Sequence, residues 1–372
     1  MNFEFSEEQL LLRDQARGLL NDACSPDVVR RILDTDEKYA QDLWATVAEM
    51  GWTAAAIPEE LGGLGLSYLE LAVIAEELGR VAAPIPFSSS VYLATEALLL
   101  AGSEKQKEHW LPRLASGEVI GTLAYAEGLG QPSPARFETT LSGGQLSGAK
   151  PAVADGCCAD LIVVVAKCDG GDGAQLCLVE KGASGFKAET VTTVDPTRAH
   201  ANLTFTNVEA DPLGAAGEGW TLLNRLLDRA AVLFAWEQLG GAEACLEMAK
   251  EYALGRYAFG RPIASYQAIK HKLADMYVKN TLARSNAYFG AWALSTNAPE
   301  LPLAAATARV GSTQAYYYAS KENIQTHGGM GYTWEFDCQF YYRRSKLLAV
   351  TLGSEALWQQ RLIDATETAD VA

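Results

Sequence analysis

The stretch LGRYAFGRPIASYQAIKHKLADM, Leu254 to Met276, decides how this sequence is read. It joins the end of one long apolar-periodic segment to the start of another. Between them it sets Arg256, Phe259, Gly260 and Gln267 in a defined register. A second stretch, QTHGGMGYTWEFDCQFYYRRSK from Gln325 to Lys346, interrupts an otherwise helical region with Gly328, Gly329 and Gly331. Glycines at that density mark a backbone that something must approach closely, because no side chain projects there.

Outward from these stretches the chain falls into three runs. From about Gly217 helical periodicity persists, with one long, largely apolar helix expected from Trp220 to Gly260 and three more after it. Before it come GTLAYAE, RFETTLSGGQLSGAK, ADLIVVVAK, AQLCLVEKG and HANLTFTNVEA, short β-branched segments separated by Gly, Asp and Ser. These predict antiparallel strands with hairpin turns, and DGGDG (Asp169 to Gly173) predicts a turn or tip. The first run is helical again. FSEEQL places Ser6 three residues before Gln9 in a capping box, with Phe5 and Leu10 as a hydrophobic staple, and Ser103 and Gln106 repeat the capping pattern. Segregated runs of helices, strands and helices imply an α+β class, mostly α, rather than a Rossmann sheet. No G-x-G-x-x-G follows a strand and no phosphate-loop motif occurs.

Composition narrows the function classes. The chain has 372 residues and a net charge of −16, a field that repels nucleic acid. An anionic ligand would therefore depend on local cations and backbone amides. Seven cysteines without C-x-x-C spacing suggest reduced thiols in a cytoplasm. Adjacent Cys157 and Cys158 read as small buried apolar residues. The four histidines, His109, His200, His271 and His327, lack ligand spacing, so no metal site is expected. His327 reads as structural. No apolar run is long enough to span a membrane, and the acidic start MNFEFSEEQL is unlike a secretory signal.

The register R-x-x-F-G-x-x-I-x-x-x-Q from Arg256 to Gln267, the Q-T-H-G-G-M-G stretch and the three-run order together resemble the acyl-CoA dehydrogenase family over essentially the whole chain. The resemblance implies an N-terminal helical domain (1–117), a middle small β-barrel domain (118–213) and a C-terminal four-helix bundle (214–372) that supplies the oligomer interface. It implies FAD as cofactor, an acyl-CoA thioester as substrate, an electron-transferring flavoprotein as acceptor, and a dimer or tetramer of like or unlike chains. The ADP half of FAD would be held by Arg256, Phe259, Gln267, Gln325, Gly328 and Gly329, with Gly331 in the same loop. These residue types suit the task. Arginine gives a planar bidentate contact to phosphate, and glycine amides approach a pyrophosphate without obstruction.

The sequence departs from the family elsewhere. The family's base is a Glu in Y-E-G-T, where this chain has Leu352 before Gly353, or a Glu on the long helix, where it has Ala230 beside Ala231. None of these three can take a proton, and all would only shape the acyl cavity. Two acids remain on that helix. Glu237, seven residues past Ala230, lies on the same face but ~10 Å further along, and Asp228 lies about 200° round from it. Each is a candidate base with a structural alternative: Glu237 paired with a core cation, Asp228 holding Arg225 or Arg229. On the flavin side, Tyr125 precedes Ala126 where the family has Thr, and Ala152 and Ala154 replace its Trp and Thr. CoA phosphates could meet Arg225, Arg229, Arg343 or Arg344. Two readings follow. One is an active dehydrogenase with a relocated base. The other is a non-catalytic subunit completing the FAD site of a catalytic paralogue, as in heteromeric members acting on steroid-like acyl-CoAs. A monooxygenase or nitroalkane-oxidase-like relative would use the same scaffold, and no residue favours it.

Overall fold

The computed structural model describes residues 5–128, 130, 132–168 and 173–371. The helices are α1 (Glu7–Ala23), α2 (Pro26–Asp34), α3 (Gln41–Glu49), α4 (Tyr68–Arg80), α5 (Glu96–Ala101), α6 (Glu104–Ala115), α7 (Gly219–Gly255), α8 (Gln267–Ser295), α9 (Leu301–His327), α10 (Cys338–Thr351) and α11 (Glu355–Val371). The strands are β1 (Gly121–Ala124), β2 (Thr140–Ser142), β3 (Gln145–Ala154), β4 (Leu161–Cys168), β5 (Ala174–Glu180), β6 (Phe186–Val191), β7 (His200–Glu209), β8 (Asp211–Leu213), β9 (Tyr257–Ala258) and β10 (Arg261–Pro262). Two compact units cut across the expected consecutive domains. One comprises 1–31, 68–83 and 231–372, the other 32–67 and 84–230.

The first unit is helical. Its N-terminal helix begins as the sequence requires: Gln9 N–H donates to Ser6 Oγ at 3.2 Å, and Ser6 N–H donates to Gln9 Oε1 at 3.0 Å. The expected staple is replaced by a longer-range contact. The Phe5 ring packs on Trp236 and Tyr288, each at 5.5 Å, while Leu10 is exposed. α4 and α7 cross backbone to backbone. A Cβ on Gly79 would lie 1.9 Å from the Glu237 carbonyl oxygen, and one on Gly240 would lie 1.8 Å from that of Glu76, so any side chain at either position forces the helices apart. Buried Glu76 and Glu77 are neutralised by Arg284 at 2.5 Å and Arg17 at 2.6 Å. Five helices lie beyond residue 214, and α9 packs against α8, α10 and α11. The long helix stops at Gly255, five residues before its expected end, because the next residues form the β9–β10 hairpin.

The second unit holds the sheet, ordered β6-β7-β3-β2-β4-β5-β8 with β1 also paired to β4. Among the described strands, pairing is antiparallel except at two places. β1 runs parallel to Leu161–Val164, and β2 runs parallel to Lys167 and Cys168 on the same strand. The expectation of hairpins throughout is corrected there. β1 and β2 are separated by a loop long enough to let both run alongside β4. That loop carries Tyr125, Ala126 and Glu127. The β2–β3 hairpin forms as expected around Gly143 and Gly144. Sequence reading missed α2, α5, β6, β8 and the β9–β10 hairpin, and it ran α10 and α11 together as one helix. The exposed pattern of β6 offers no apolar face to detect. Of the expected tip at Asp169–Gly173, only Gly173 lies among the described residues. A π-helical segment, Ser88–Thr95, is buried along its whole length.

Candidate cofactor site

The residues around Arg256 come together because three helix ends in the first unit meet. The last turn of α7 is fixed to the end of α9 by Tyr252, which stacks on His327 at 4.1 Å. His327 is buried, contacts the Asn323 carbonyl through Nδ1 at 2.9 Å, and is pushed below its ordinary pKa by burial. It is a packing residue, as the sequence suggested. The start of α8 is tied to the same place by the Lys272–Glu322 ion pair at 2.7 Å. Arg256, Gln267, Gln325 and the glycine turn thus share one end of the helical unit.

Backbone conformation aims the remaining member. In the β9–β10 turn both central residues have positive φ, Phe259 at 51° and Gly260 at 78°, the type I′ pattern. Glycine adopts this freely, whereas phenylalanine there is strained. The strain thrusts the ring outward, 98% exposed. The hairpin itself is firm: Tyr266 Oη donates to the Ala258 carbonyl at 2.9 Å, and Arg261 lies over the Tyr266 ring.

The glycines divide by role. A Cβ on Gly328 or Gly329 would meet nothing within 4 Å, and Gly328 has a φ of 63°. A Cβ on Gly331 would lie 2.5 Å from the Ile324 carbonyl oxygen. Gly328 and Gly329 therefore leave an open backbone cradle, while Gly331 serves close packing within the chain and is removed from the expected phosphate set. Arg256, Gln267 and Gln325 are exposed, and among the described residues their side chains have no hydrogen-bond or ion-pair partner.

The positions that the resemblance assigns to the flavin side lie in the second unit. Tyr125 and Ala126 follow β1 and are half-buried. Ala152 sits where β3 shifts register, with a φ of 47°, and its N–H donates to Asn202 Oδ1 at 3.0 Å. The Ala154 carbonyl accepts from Thr122 Oγ1 at 2.6 Å. Between these positions is an ion pair that sequence reading missed. Lys150, fully buried, reaches Glu127 Oε1 at 2.5 Å and lies over the Phe137 ring. Glu127 also accepts backbone N–H groups from Glu138 and Thr139. The pair pins the loop between β1 and β2. A lysine inside the strand-like GAKPAV was the available signal.

Burial alone would raise the Glu127 carboxyl, but its bonds from Lys150 and Glu138 hold it below its ordinary value. Burial costs the ammonium more than Glu127 returns, so Lys150 lies below its own ordinary value. The pair is thus an anchor more than a source of stability. Glu127 contributes stability above the ordinary carboxylate pKa, and that contribution is lost as pH falls through its depressed folded value. Lys150→Met takes the cation from the half-buried Glu127 carboxylate, which keeps only its backbone N–H donors, and costs about 3 kcal/mol. Adding Glu127→Gln removes the orphaned charge and recovers part of this loss, measurable by denaturant unfolding of single and double variants.

For Glu237 the structure matches the structural alternative, a buried acid beside a core cation. Glu237 is buried, with Oε1 3.7 Å from Arg344 Nη1. Arg344 is also buried and donates to the Ala82 and Ala83 carbonyls at 3.2 and 3.3 Å. Arg344 is therefore occupied inside the fold and is withdrawn as a CoA-phosphate candidate. Arg229 is withdrawn too: it is buried and donates to Glu96 at 2.7 Å. Asp228 is buried; Arg225 is exposed and Arg343 half-buried. Ala230, Ala231 and Leu352 are fully buried, and the Leu352 carbonyl accepts from Trp358 Nε1 at 2.9 Å. Among the described residues no His, Cys, Asp and Glu group is arranged to hold a metal, and no helix is long and apolar enough to cross a membrane.

Two family models match, the acyl-CoA dehydrogenase N-terminal domain over residues 6–118 and the C-terminal domain over 217–366. The chain belongs to the acyl-CoA dehydrogenase family. Acyl-CoA dehydrogenase IpdE2 of Mycobacterium tuberculosis is 36% identical over 94% of both chains. Among solved structures, a chain of the Acidaminococcus fermentans electron transferring flavoprotein structure superposes with a TM-score of 0.92, at 28% identity over 98% of this chain and 99% of that one. The Mycobacterium tuberculosis ChsE4-ChsE5 complex gives 0.89, at 26% identity over 99% of both. Members of this family are FAD-dependent oxidoreductases that dehydrogenate acyl-CoA. The residues of the helical unit fit such a cofactor: an open glycine backbone, an unpaired exposed arginine and an outward aromatic ring are the groups an ADP moiety requires.

Proposed function

We propose that this chain is the FAD-completing, non-catalytic subunit of a hetero-oligomeric acyl-CoA dehydrogenase. The observation that carries the reading is an asymmetry. The groups suited to ADP are exposed and unpartnered, while Glu237, the better directed candidate base, faces a buried guanidinium. A carboxylate set beside a buried cation is engaged as a counter-ion inside the fold. Alanine at 230 and leucine at 352 cannot accept a proton at all, and Asp228 lies about 200° round the helix from the Ala230 position, so the α-proton of the thioester would go to a carboxylate of the paired chain. FAD, when bound, supplies the hydride acceptor. Arg256 neutralises the pyrophosphate, Gly328 and Gly329 offer backbone amides, Phe259 gives an apolar face to the adenosine, and Gln267 and Gln325 offer amides to the sugar-phosphate chain. Ala126, Ala152 and Ala154 remove a hydroxyl, an aromatic wall and a second hydroxyl from the chain's own flavin side.

The oligomer is supported by an apolar surface that a monomer would not leave in water. Leu254, Tyr257, Phe259, Tyr277, Val278 and Leu282 are each more than half exposed. The ChsE4-ChsE5 neighbour is a complex of two differently named chains. We take the acceptor to be an electron-transferring flavoprotein. The free cysteines accord with a reducing compartment such as the cytoplasm.

The test is anaerobic titration with a panel of acyl-CoA thioesters, following flavin absorbance. The chain purified alone is expected to show no bleaching, and the chain co-expressed with a family paralogue to bleach. Bleaching by the chain alone overturns the reading in favour of a relocated base.

A further inference from the structure

We propose that Cys157 and Cys158, in the turn that follows β3, form a thiol-pair modification site that hydrogen peroxide oxidises to a disulfide, with Cys157 as the attacking sulfur. The pair is set apart from the other cysteines by position. Cys24, Cys177, Cys245 and Cys338 are buried, whereas Cys157 and Cys158, which the sequence reading expected to be buried, are chain neighbours that are both half-exposed. The Cys158 thiol donates its proton to the Asp155 carbonyl at 3.2 Å, which leaves Cys157 as the sulfur without a committed backbone acceptor. The turn is held from behind, because the Asp155 carboxylate is the buried counter-ion of Arg198 at 2.7 Å and accepts from Ser89 Oγ. Two sulfurs are therefore presented side by side on a firm base.

Their surroundings separate the roles. The neighbouring Cys158 thiol holds Cys157 below its ordinary value, against burial and Asp155 and with help from Lys38. Cys157 in turn, together with burial, raises Cys158, against a smaller pull from Arg198. Tyr39 and Asp160 also lie near the turn. A thiolate at neutral pH is the nucleophile in thiol chemistry. Burial pushes Cys24, Cys177 and Cys338 up to about 12, which leaves them as thiols.

The chemistry balances in two steps. The Cys157 thiolate attacks one peroxide oxygen, the O–O bond breaks, and hydroxide leaves, giving a sulfenic acid. The Cys158 sulfur then displaces the sulfenic oxygen as water, its proton going with it, and the S–S bond forms. In total two thiols lose two electrons and two protons, and one peroxide becomes two waters. Adjacent Cα atoms are ~3.8 Å apart across a trans peptide, under the usual disulfide span. Such a bond is readily reduced, so the site returns to its thiols.

The experiment treats the purified full-length chain with dilute hydrogen peroxide and follows each cysteine-containing peptide by mass. Loss of two hydrogens is expected at the 157–158 peptide, reversed by dithiothreitol, at least roughly tenfold faster than any change at Cys168. Cys168 is the internal comparison, being also half-exposed. Cys158→Ser is expected to leave a dimedone-trapped sulfenic acid at Cys157, and Cys157→Ser to abolish fast oxidation. Equal rates at Cys157 and Cys168, or a trapped sulfenic acid at Cys158 instead, overturn the proposal.

Discussion

Arg256→Ala is expected to weaken FAD binding by roughly ten- to a hundredfold, the value of a charge-assisted contact worth about 1.5–3 kcal/mol. Unfolding should stay within ~0.5 kcal/mol of the parent. The combination is informative because Arg256 is exposed and has no partner within the described chain, so the fold has nothing to lose at that position. Gly329→Leu sharpens the test. Its Cβ enters open space, so the helical unit accommodates it, while the added side chain fills the cradle that the pyrophosphate needs. Flavin absorbance per mole of purified complex, read beside a thermal melt, checks both variants. A full complement of FAD in each would remove the helix ends from the cofactor site. Gly331→Ala is the contrasting case. Its Cβ would strike the Ile324 carbonyl at 2.5 Å, so stability falls along with FAD.

Glu237→Ala is expected to destabilise the chain by about 3 kcal/mol, because it takes an anionic neighbour away from the buried Arg344 guanidinium. The thermal midpoint should fall by roughly 4 °C. Glu237→Gln keeps shape and hydrogen-bonding capacity and should lose less. Neither variant should change the rate at which the hetero-oligomer's flavin is bleached by its thioester, once corrected for folded protein. A base would behave in the opposite way. Glu237→Gln would then leave the melt unchanged and slow bleaching by orders of magnitude, since a neutral amide cannot take the α-proton. The two measurements together separate a counter-ion from a catalyst. The ion pair is long, at 3.7 Å, which places the expected stability loss at the lower end for buried pairs.

The two readings of Glu237 show where sequence and structure part company. Local signals were legible along the chain. Both capping boxes, at Ser6 and at Ser103, form as their spacing dictates, because the bonds that make them span three residues. The Gly143–Gly144 hairpin and the helical runs are local in the same sense. So is the register from Arg256 to Gln267, which marks the family and picks out the residues that the structure gathers at one end of the helical unit.

Other features depended on residues far apart in the chain. Helical geometry gave Glu237 a direction relative to Ala230, but nothing nearby in sequence announced that Arg344, over a hundred positions later, fills the space beside it. The parallel pairing of β1 and β2 with β4 could not be read from strands whose alternation looks the same in either direction. The crossing of α4 and α7 at Gly79 and Gly240, the Lys150–Glu127 anchor and the Cys157–Cys158 turn behind Asp155 also rest on long-range contacts. The sequence by itself determined the family, the order of elements and the residue types that can meet an ADP moiety, since these follow from periodicity and short-range spacing. Only the tertiary structure decided which of those residues are free to meet a ligand and which are already spent inside the fold, because burial and charge pairing are set by distant neighbours.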